Sequence, residues 1–228
     1  MNNNQIFFQT AVTLIGAETA LLLTDPQNDF LSDNGVAWPV VGPGVLKNDV
    51  RANLERLAKT AKAAGIAMFV SPHYYFTTDK GTRFGGALET FMQRSNMFYR
   101  AKSTSDSVSP DSGADWFSAL KTYIEDGETV ITSPHKVFGP ETNDLVYQLR
   151  KRDIKNVVLA GMAANLCVES HLRELIEQGF RVIVVKDATA SCEMEEGDAY
   201  TAALVNFRLI ANAVWTTEQA VEELSKLE

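Results

Sequence analysis

Residues 156–190 read NVVLAGMAANLCVESHLRELIEQGFRVIVVKDATA, and this stretch decides the fold. Val157, Val158, Leu159 and Ala160 form a short apolar run ending at Gly161, as a buried parallel strand does. After a six-residue turn, Val168, Leu172, Leu175 and Ile176 recur at i, i+4, i+7 and i+8, the apolar face of a helix. Gly179 stops that helix, and Arg181–Lys186 is a second β-branched, apolar strand. The stretch is a β-α-β unit with Cys167 where the turn meets the helix. A thiol there is expected to feel the unpaired N–H groups of the helix start, which favour thiolate. Gly161, Ala163 and Ala164 leave room for backbone amides to approach a ligand. The alternative is that Cys167 is simply a buried core cysteine, a common fate for a free thiol.

Working outward, the same alternation recurs. Thr19–Thr24 is an apolar strand, and Pro26 ends its ladder so that Asp25 lies at the carboxyl end. Leu31–Gly44, rich in Gly, Pro, Asn and Asp, reads as a loop. Residues 46–64 read as a helix, and Ile66–Val70 as a strand delivering Ser71-Pro72-His73. Residues 77–112 lose the periodicity and are expected to form a lid that sets substrate choice, with a short helix inside Leu88–Phe98. Trp116–Ile124 is a weak helix, and Thr129–Thr132 a strand leading to Ser133-Pro134-His135-Lys136. Thr142 is the expected N-cap of a helix running to Arg152. After the central unit come a helix over 195–207, a strand over Arg208–Trp215, and a final helix opened by a Thr216/Gln219 capping box.

Strands alternating with helices predict an α/β fold: a single-domain, three-layer α/β/α sandwich around a six-stranded, mostly parallel, Rossmann-like sheet. Residues 1–228 are read as one domain, with 1–18 as an N-terminal arm. Ligands of such sheets bind beyond the carboxyl ends of the strands, where Asp25, His73, Lys136 and Cys167 all fall. A cysteine nucleophile needs a base and a proton donor; Asp25 supplies both in turn if burial raises its pKa, and Lys136 supplies a cation.

The bulk composition excludes several classes. The chain has 228 residues, of which 45% are hydrophobic and 22% charged, as in an ordinary globular protein. A net charge of −8 argues against nucleic acid and anionic membranes as partners. Two cysteines, Cys167 and Cys192, make no disulfide framework or metal-ligand spacing. The opening MNNNQIFFQT has no signal-peptide pattern, and no apolar run approaches the roughly 20 residues of a membrane helix. A cytoplasmic homo-oligomer (dimer or tetramer) acting on a small molecule is the expectation.

The chain resembles the isochorismatase-like cysteine hydrolases. The resemblance rests on Asp25-Pro26-Gln27-Asn28-Asp29-Phe30 after the first strand, on Lys136 and Thr142, on Gly161 to Val168 (G-x-x-x-x-x-C-V), and on Asp187-Ala188. It implies a triad of Asp25, Lys136 and Cys167, a cis peptide between Met162 and Ala163, and an oxyanion hole from the amides of Ala163 and Cys167. By the same analogy Phe30 lines the pocket. It also implies hydrolysis of a C–N bond in a small amide, carbamoyl or ureido compound, through a thioester. The alternatives are vinyl-ether hydrolysis with Asp25 as acid, or an idle ligand-binding homologue. Nicotinamidase-type members carry a metal-binding Asp-x-His with a further histidine; here the place reads Ser71-Pro72-His73-Tyr74-Tyr75. No metal or other cofactor is therefore expected, and His73 is read as a substrate contact or a structural histidine.

Overall fold

In a computed structural model, which describes residues 12–100 and 109–227, the apolar runs become strands. They are β1 (Thr19–Thr24), β2 (Ala67–Ser71), β3 (Val130–Ile131), β4 (Asn156–Gly161) and β5 (Arg181–Val185), then a small antiparallel pair, β6 (Glu193–Met194) and β7 (Gly197–Asp198), and finally β8 (Ala213–Trp215). Among the described residues six of these form one sheet in the order β3-β2-β1-β4-β5-β8, every neighbouring pair parallel.

The helices are α1 (Asn28–Leu31), α2 (Trp38–Lys47), α3 (Val50–Ala63), α4 (Ala87–Ser95), α5 (Lys121–Ile124), α6 (Leu145–Arg150), α7 (Glu169–Glu177), α8 (Ala199–Ile210) and α9 (Thr217–Ser225). Alternate strand residues face opposite cores, following the period of two. Leu21, Leu23, Val70 and Val158 pack under α2, α3 and α9, whereas Leu22, Phe69, Val157 and Leu159 pack under α6, α7 and α8. Both faces of the central strands are buried, which is why they read as continuous apolar runs. No helix among the described residues is long and apolar enough to cross a membrane.

Three local expectations are corrected. Residues 38–47 are helical rather than loop, despite Pro39, Pro43, Gly42 and Gly44. Pro39 lies in the first turn, where no N–H is needed. Val41 and Val45, four apart, are buried, and Gly44 packs so closely on Ser191 that a Cβ would meet its carbonyl oxygen at 2.6 Å. Tertiary packing of small residues overrides their weak helix propensity. The helix expected from Thr142 starts at Leu145, and the Thr142 hydroxyl instead accepts from the Lys136 amide at 3.1 Å. Residues 208–210 continue α8, so the last strand is only 213–215.

The lid stretch holds α4 where a short helix is expected. Its residues 101–108 lie outside the described residues, as do residues 1–11 of the expected N-terminal arm.

The chain builds β1, β2 and β3 outward in one direction, then returns to lay β4 on the other side of β1. That reversal opens a crevice beyond the carboxyl ends of β1 and β4. Gly161 allows the close approach: it has φ +119°, and a Cβ there would lie 2.1 Å from the Thr24 carbonyl oxygen.

Candidate active site

Asp25 follows β1, fully buried, with φ 47°. Aspartate is among the few non-glycine residues that tolerate this left-handed region. Gln27, two residues on, clamps the neighbouring strand end. Its Nε2 donates to the carbonyls of His73 and Ala114, and its Oε1 accepts from the His73 amide, each at 2.9 Å. The Asp29 carboxylate accepts from the amides of Val36 and Phe98. Gln27 and Asp29 thus hold the walls of the site, while Asp25 faces its centre.

Cys167 comes from β4 through a cis Met162–Ala163 bond and a π turn, Ala164–Val168, that runs directly into α7. Such π turns often mark functional sites. Burial, and then the negative charge of Asp25, push the Cys167 thiol well above the ordinary range; the amides of Ala163 and Cys167 pull the other way and lose. The expected thiolate-favouring environment is therefore corrected. The helix start is present, but desolvation and the neighbouring carboxylate outweigh it.

Burial also raises the Asp25 carboxyl, to about 6, opposed by His73 and by contact with the Cys167 thiol. Asp25 Oδ1 bonds His135 Nε2 at 2.8 Å, whereas Oδ2 has no hydrogen-bond partner among the described residues. Burial holds His135 down at about 3, so its ring is neutral and donates Nε2–H to the carboxylate.

Lys136 is not brought to Asp25. Its Nζ pairs with Asp79 Oδ2 at 2.6 Å, lies 3.4 Å from the Tyr74 carbonyl, and rests over the Phe76 ring. The cause is a break in the alternation of the strand. The β2–β3 pairing is Val70 with Ile131, but the isolated bridge beyond it pairs His73 with His135, so the β3 side carries one extra residue. Ile131 and Ser133 are exposed, and the extra residue turns His135 inward instead, while Lys136 leaves in a bend toward Asp79. The expected Asp25–Lys136–Cys167 constellation is therefore geometrically an Asp25–His135–Cys167 one.

All three histidines of the chain, His73, His135 and His171, stand in one buried row. Ring centroids are 4.8 Å apart for His73–His135 and 5.2 Å for His135–His171. Burial depresses each to about 3, so none carries charge at neutral pH. His171 donates Nδ1–H to the Cys167 carbonyl at 2.7 Å and accepts at Nε2 from Ser71 Oγ at 2.8 Å. His73 stacks on Phe98 at 4.8 Å. Sequence reading misses His135, His171 and Phe98 as site residues. For His171 a signal exists: it lies four residues after Cys167, one turn along the same helix face.

Asp25, His73, His135 and Cys167 each offer one potential ligand atom, and these atoms all lie within 4.8 Å of one another. The grouping comes from three strand ends and a helix start, so it escapes a search for Asp-x-His…His. An ion held there would tie up the sulfur and the Asp25 carboxylate together.

Cys167 and His73 open onto a cavity of about 420 Å³. Phe30 is 6% exposed and lines it as expected, its ring 5.1 Å from Phe98. The lid stretch contributes Leu88, Phe91, Met92 and Met97 to the wall.

The family model described as "Isochorismatase domain" matches residues 19–219. The ureidoacrylate amidohydrolase RutB of Enterobacter sp. (strain 638) is 26% identical over 218 residues, covering 94% of this chain and 93% of the relative. The crystal structure of a cysteine hydrolase from Pseudomonas syringae pv. phaseolicola 1448A superposes with a TM-score of 0.78 at 18% identity, covering 96% of this chain and 97% of that one. The N-carbamoylsarcosine amidase of Thermoplasma acidophilum gives a TM-score of 0.62 at 18% identity, covering 88% and 97%. The last two likenesses concern the fold.

Proposed function

Because the chain belongs to the isochorismatase family, we propose that it hydrolyses a C–N bond of a small amide, carbamoyl or ureido compound, with Cys167 as nucleophile. The observation that carries this reading is the buried pairing of the Cys167 thiol with an Asp25 carboxylate whose pKa is near 6, beside a cavity of about 420 Å³. A relative of nearly full coverage is named for amide hydrolysis of a ureido acid, which supports the same class.

The thiol is protonated at rest. Asp25, ionised above pH 6, takes the S–H proton as sulfur attacks the carbonyl carbon. The oxyanion forms against the amides of Ala163 and Cys167, and such donors are worth about 3–4 kcal/mol in similar sites. Protonated Asp25 hands that proton to the departing ammonia or amine, leaving a thioester. Water enters, Asp25 takes one of its protons, and the hydroxide equivalent displaces the sulfur, which recovers the proton. Neutral His135 orients the carboxylate through its Nε2–H and leaves Oδ2 to work. Lys136, bound to Asp79, anchors the lid.

His135→Ala should therefore lower kcat by on the order of 100-fold, and His135→Gln, which keeps an N–H donor, should recover part of it. Lys136→Ala should leave kcat close to wild type, because a partly exposed ion pair contributes little. Steady-state kinetics on the three variants checks this; the reverse ranking would restore the lysine to the site.

Turnover should persist after dialysis against a chelator. Stoichiometric zinc or iron in the purified protein, with activity lost on chelation, would instead make the Asp25–His73–His135–Cys167 group a metal centre.

The reading as a whole is tested by rapid quench and intact mass during turnover of an amide. An acyl adduct mapping to Cys167 is expected. Its absence under burst conditions, with product still forming, would overturn the thioester route, and failure to turn over any amide would favour the vinyl-ether alternative. That alternative draws on the same raised Asp25 pKa, which leaves a protonated fraction able to act as acid at neutral pH.

A further inference from the structure

The cavity in front of Cys167 is walled by side chains of one character. Apolar side chains, among them Phe30, Val41, Met92, Met97, Phe138 and Leu166, make most of its lining, and the polar groups are His73, Asn165 and Ser191 beside the cysteine thiols. Burial keeps His73 neutral, and the Ser191 hydroxyl is bonded to Asn165 Oδ1. No lysine, arginine, aspartate or glutamate lines the cavity among the described residues. Its mouth is ringed by Val40, Phe91 and Met194, from α2, α4 and β6, which remain 52%, 46% and 59% exposed. The charged residues nearby, Lys47, Glu193 and Asp198, line a second cavity that shares only Val40, Ser191 and Cys192 with the first. Two carboxylates against one ammonium there offer no anion site either.

We propose that the substrate is an uncharged amide or ureido compound whose remaining part is an alkyl or aryl group, with no carboxylate. A carboxylate carried into this cavity would lose its hydration and find no cation among the described residues, and the amides of Ala163 and Cys167 are taken by the reacting carbonyl. An apolar chain gains at each step by leaving water, about fourfold in kcat/KM per methylene, until the cavity is filled. A cavity of about 420 Å³ holds a phenylalkyl group with the reacting amide. The proposal deepens the amidohydrolase reading and rests on it only for turnover; the preference of the cavity is a separate property.

The experiment compares 4-phenylbutanamide with its para-carboxylate, and the straight-chain amides from butanamide to octanamide, in two assays. One is ammonia release by the wild-type protein. The other is binding to Cys167→Ala, followed by ligand NMR titration. The uncharged phenyl compound is expected to be favoured by on the order of 100-fold in both assays, and the straight-chain series should rise with length. Phe91→Arg, at a half-exposed position on the mouth, should narrow the charged/uncharged gap by about tenfold. Equal or tighter binding of the carboxylate, or no binding of either compound, overturns the proposal. Preferential binding to Cys167→Ala without hydrolysis by the wild type would leave the cavity assignment standing and remove the amidohydrolase reading.

Discussion

Cys167→Ala should lose amide hydrolysis by on the order of 10⁴-fold or more, since removing the nucleophile of a concerted set removes nearly all its rate. Cys192→Ala should keep it. Cys192 is partly exposed and lines the edge of the same cavity, but Asp25 and the amides of Ala163 and Cys167 act on the Cys167 sulfur. The comparison is needed because alkylation alone would mislead. The Cys167 thiol is buried and pushed well above its ordinary range, so an alkylating reagent at neutral pH reaches Cys192 first even in an active enzyme. Assigning the nucleophile therefore requires the kinetics of the two alanine variants together with the mass of the trapped adduct. A Cys167→Ala protein that still turned over its substrate near the wild-type rate would sink the thioester route and promote protonation of a vinyl ether by Asp25.

Asp25→Asn should do two opposite things: abolish activity and stabilise the fold. The rate should fall by on the order of 10³-fold, because the amide can neither take nor return the proton. The stability change follows from linkage. The carboxyl moves from 3.8 to about 6 on folding, so between those values the folded protein holds a proton that the unfolded chain has released. That contribution to stability is complete below about pH 4 and is lost as pH rises through 6. At pH 7.5 the buried carboxylate thus costs about 3 kcal/mol relative to a neutral group at the same place. Asparagine is isosteric, accepts the same bond from His135 Nε2–H, and tolerates the φ of 47°. Urea denaturation at pH 7.5 should show Asp25→Asn more stable than wild type, and the gain should vanish by pH 4. A variant no more stable at pH 7.5 would mean that Asp25 is not a strained, desolvated base. In the wild type, kcat/KM should fall as pH drops below about 6, where Asp25 takes up its proton.

Asp25 and Cys167 are both legible in the sequence, and the reason is local. Each follows an apolar run that ends in Pro26 or Gly161, so its place at the carboxyl end of a parallel strand is written in adjacent residues. The order of strands and helices is legible in the same way, because both faces of β1 and β4 are buried and their sequences are uninterrupted Ala, Val and Leu between polar ends. Helix α2 is hidden because its glycines answer to packing: a Cβ on Gly42 would meet the Trp38 ring at 2.8 Å, and one on Gly44 would meet the carbonyl oxygen of Ser191, far along the chain, at 2.6 Å.

Two decisions belong to the tertiary structure alone. The first is which residue after β3 faces Asp25. His135 and Lys136 are neighbours in sequence, and the lysine is the natural choice of cation. Only the one-residue shift between the β2–β3 register and the His73–His135 bridge turns the histidine inward and leaves the lysine to reach Asp79. The second is the ionisation of the site. A helix start argues for thiolate, and three histidines are chargeable near neutral pH; complete burial reverses both, leaving a neutral thiol, three neutral rings and a weakened acid at Asp25. Sequence determines which groups are present and at which strand end they fall. Side-chain direction and desolvation depend on what is packed against those groups, and that is known only once the chain has closed on itself.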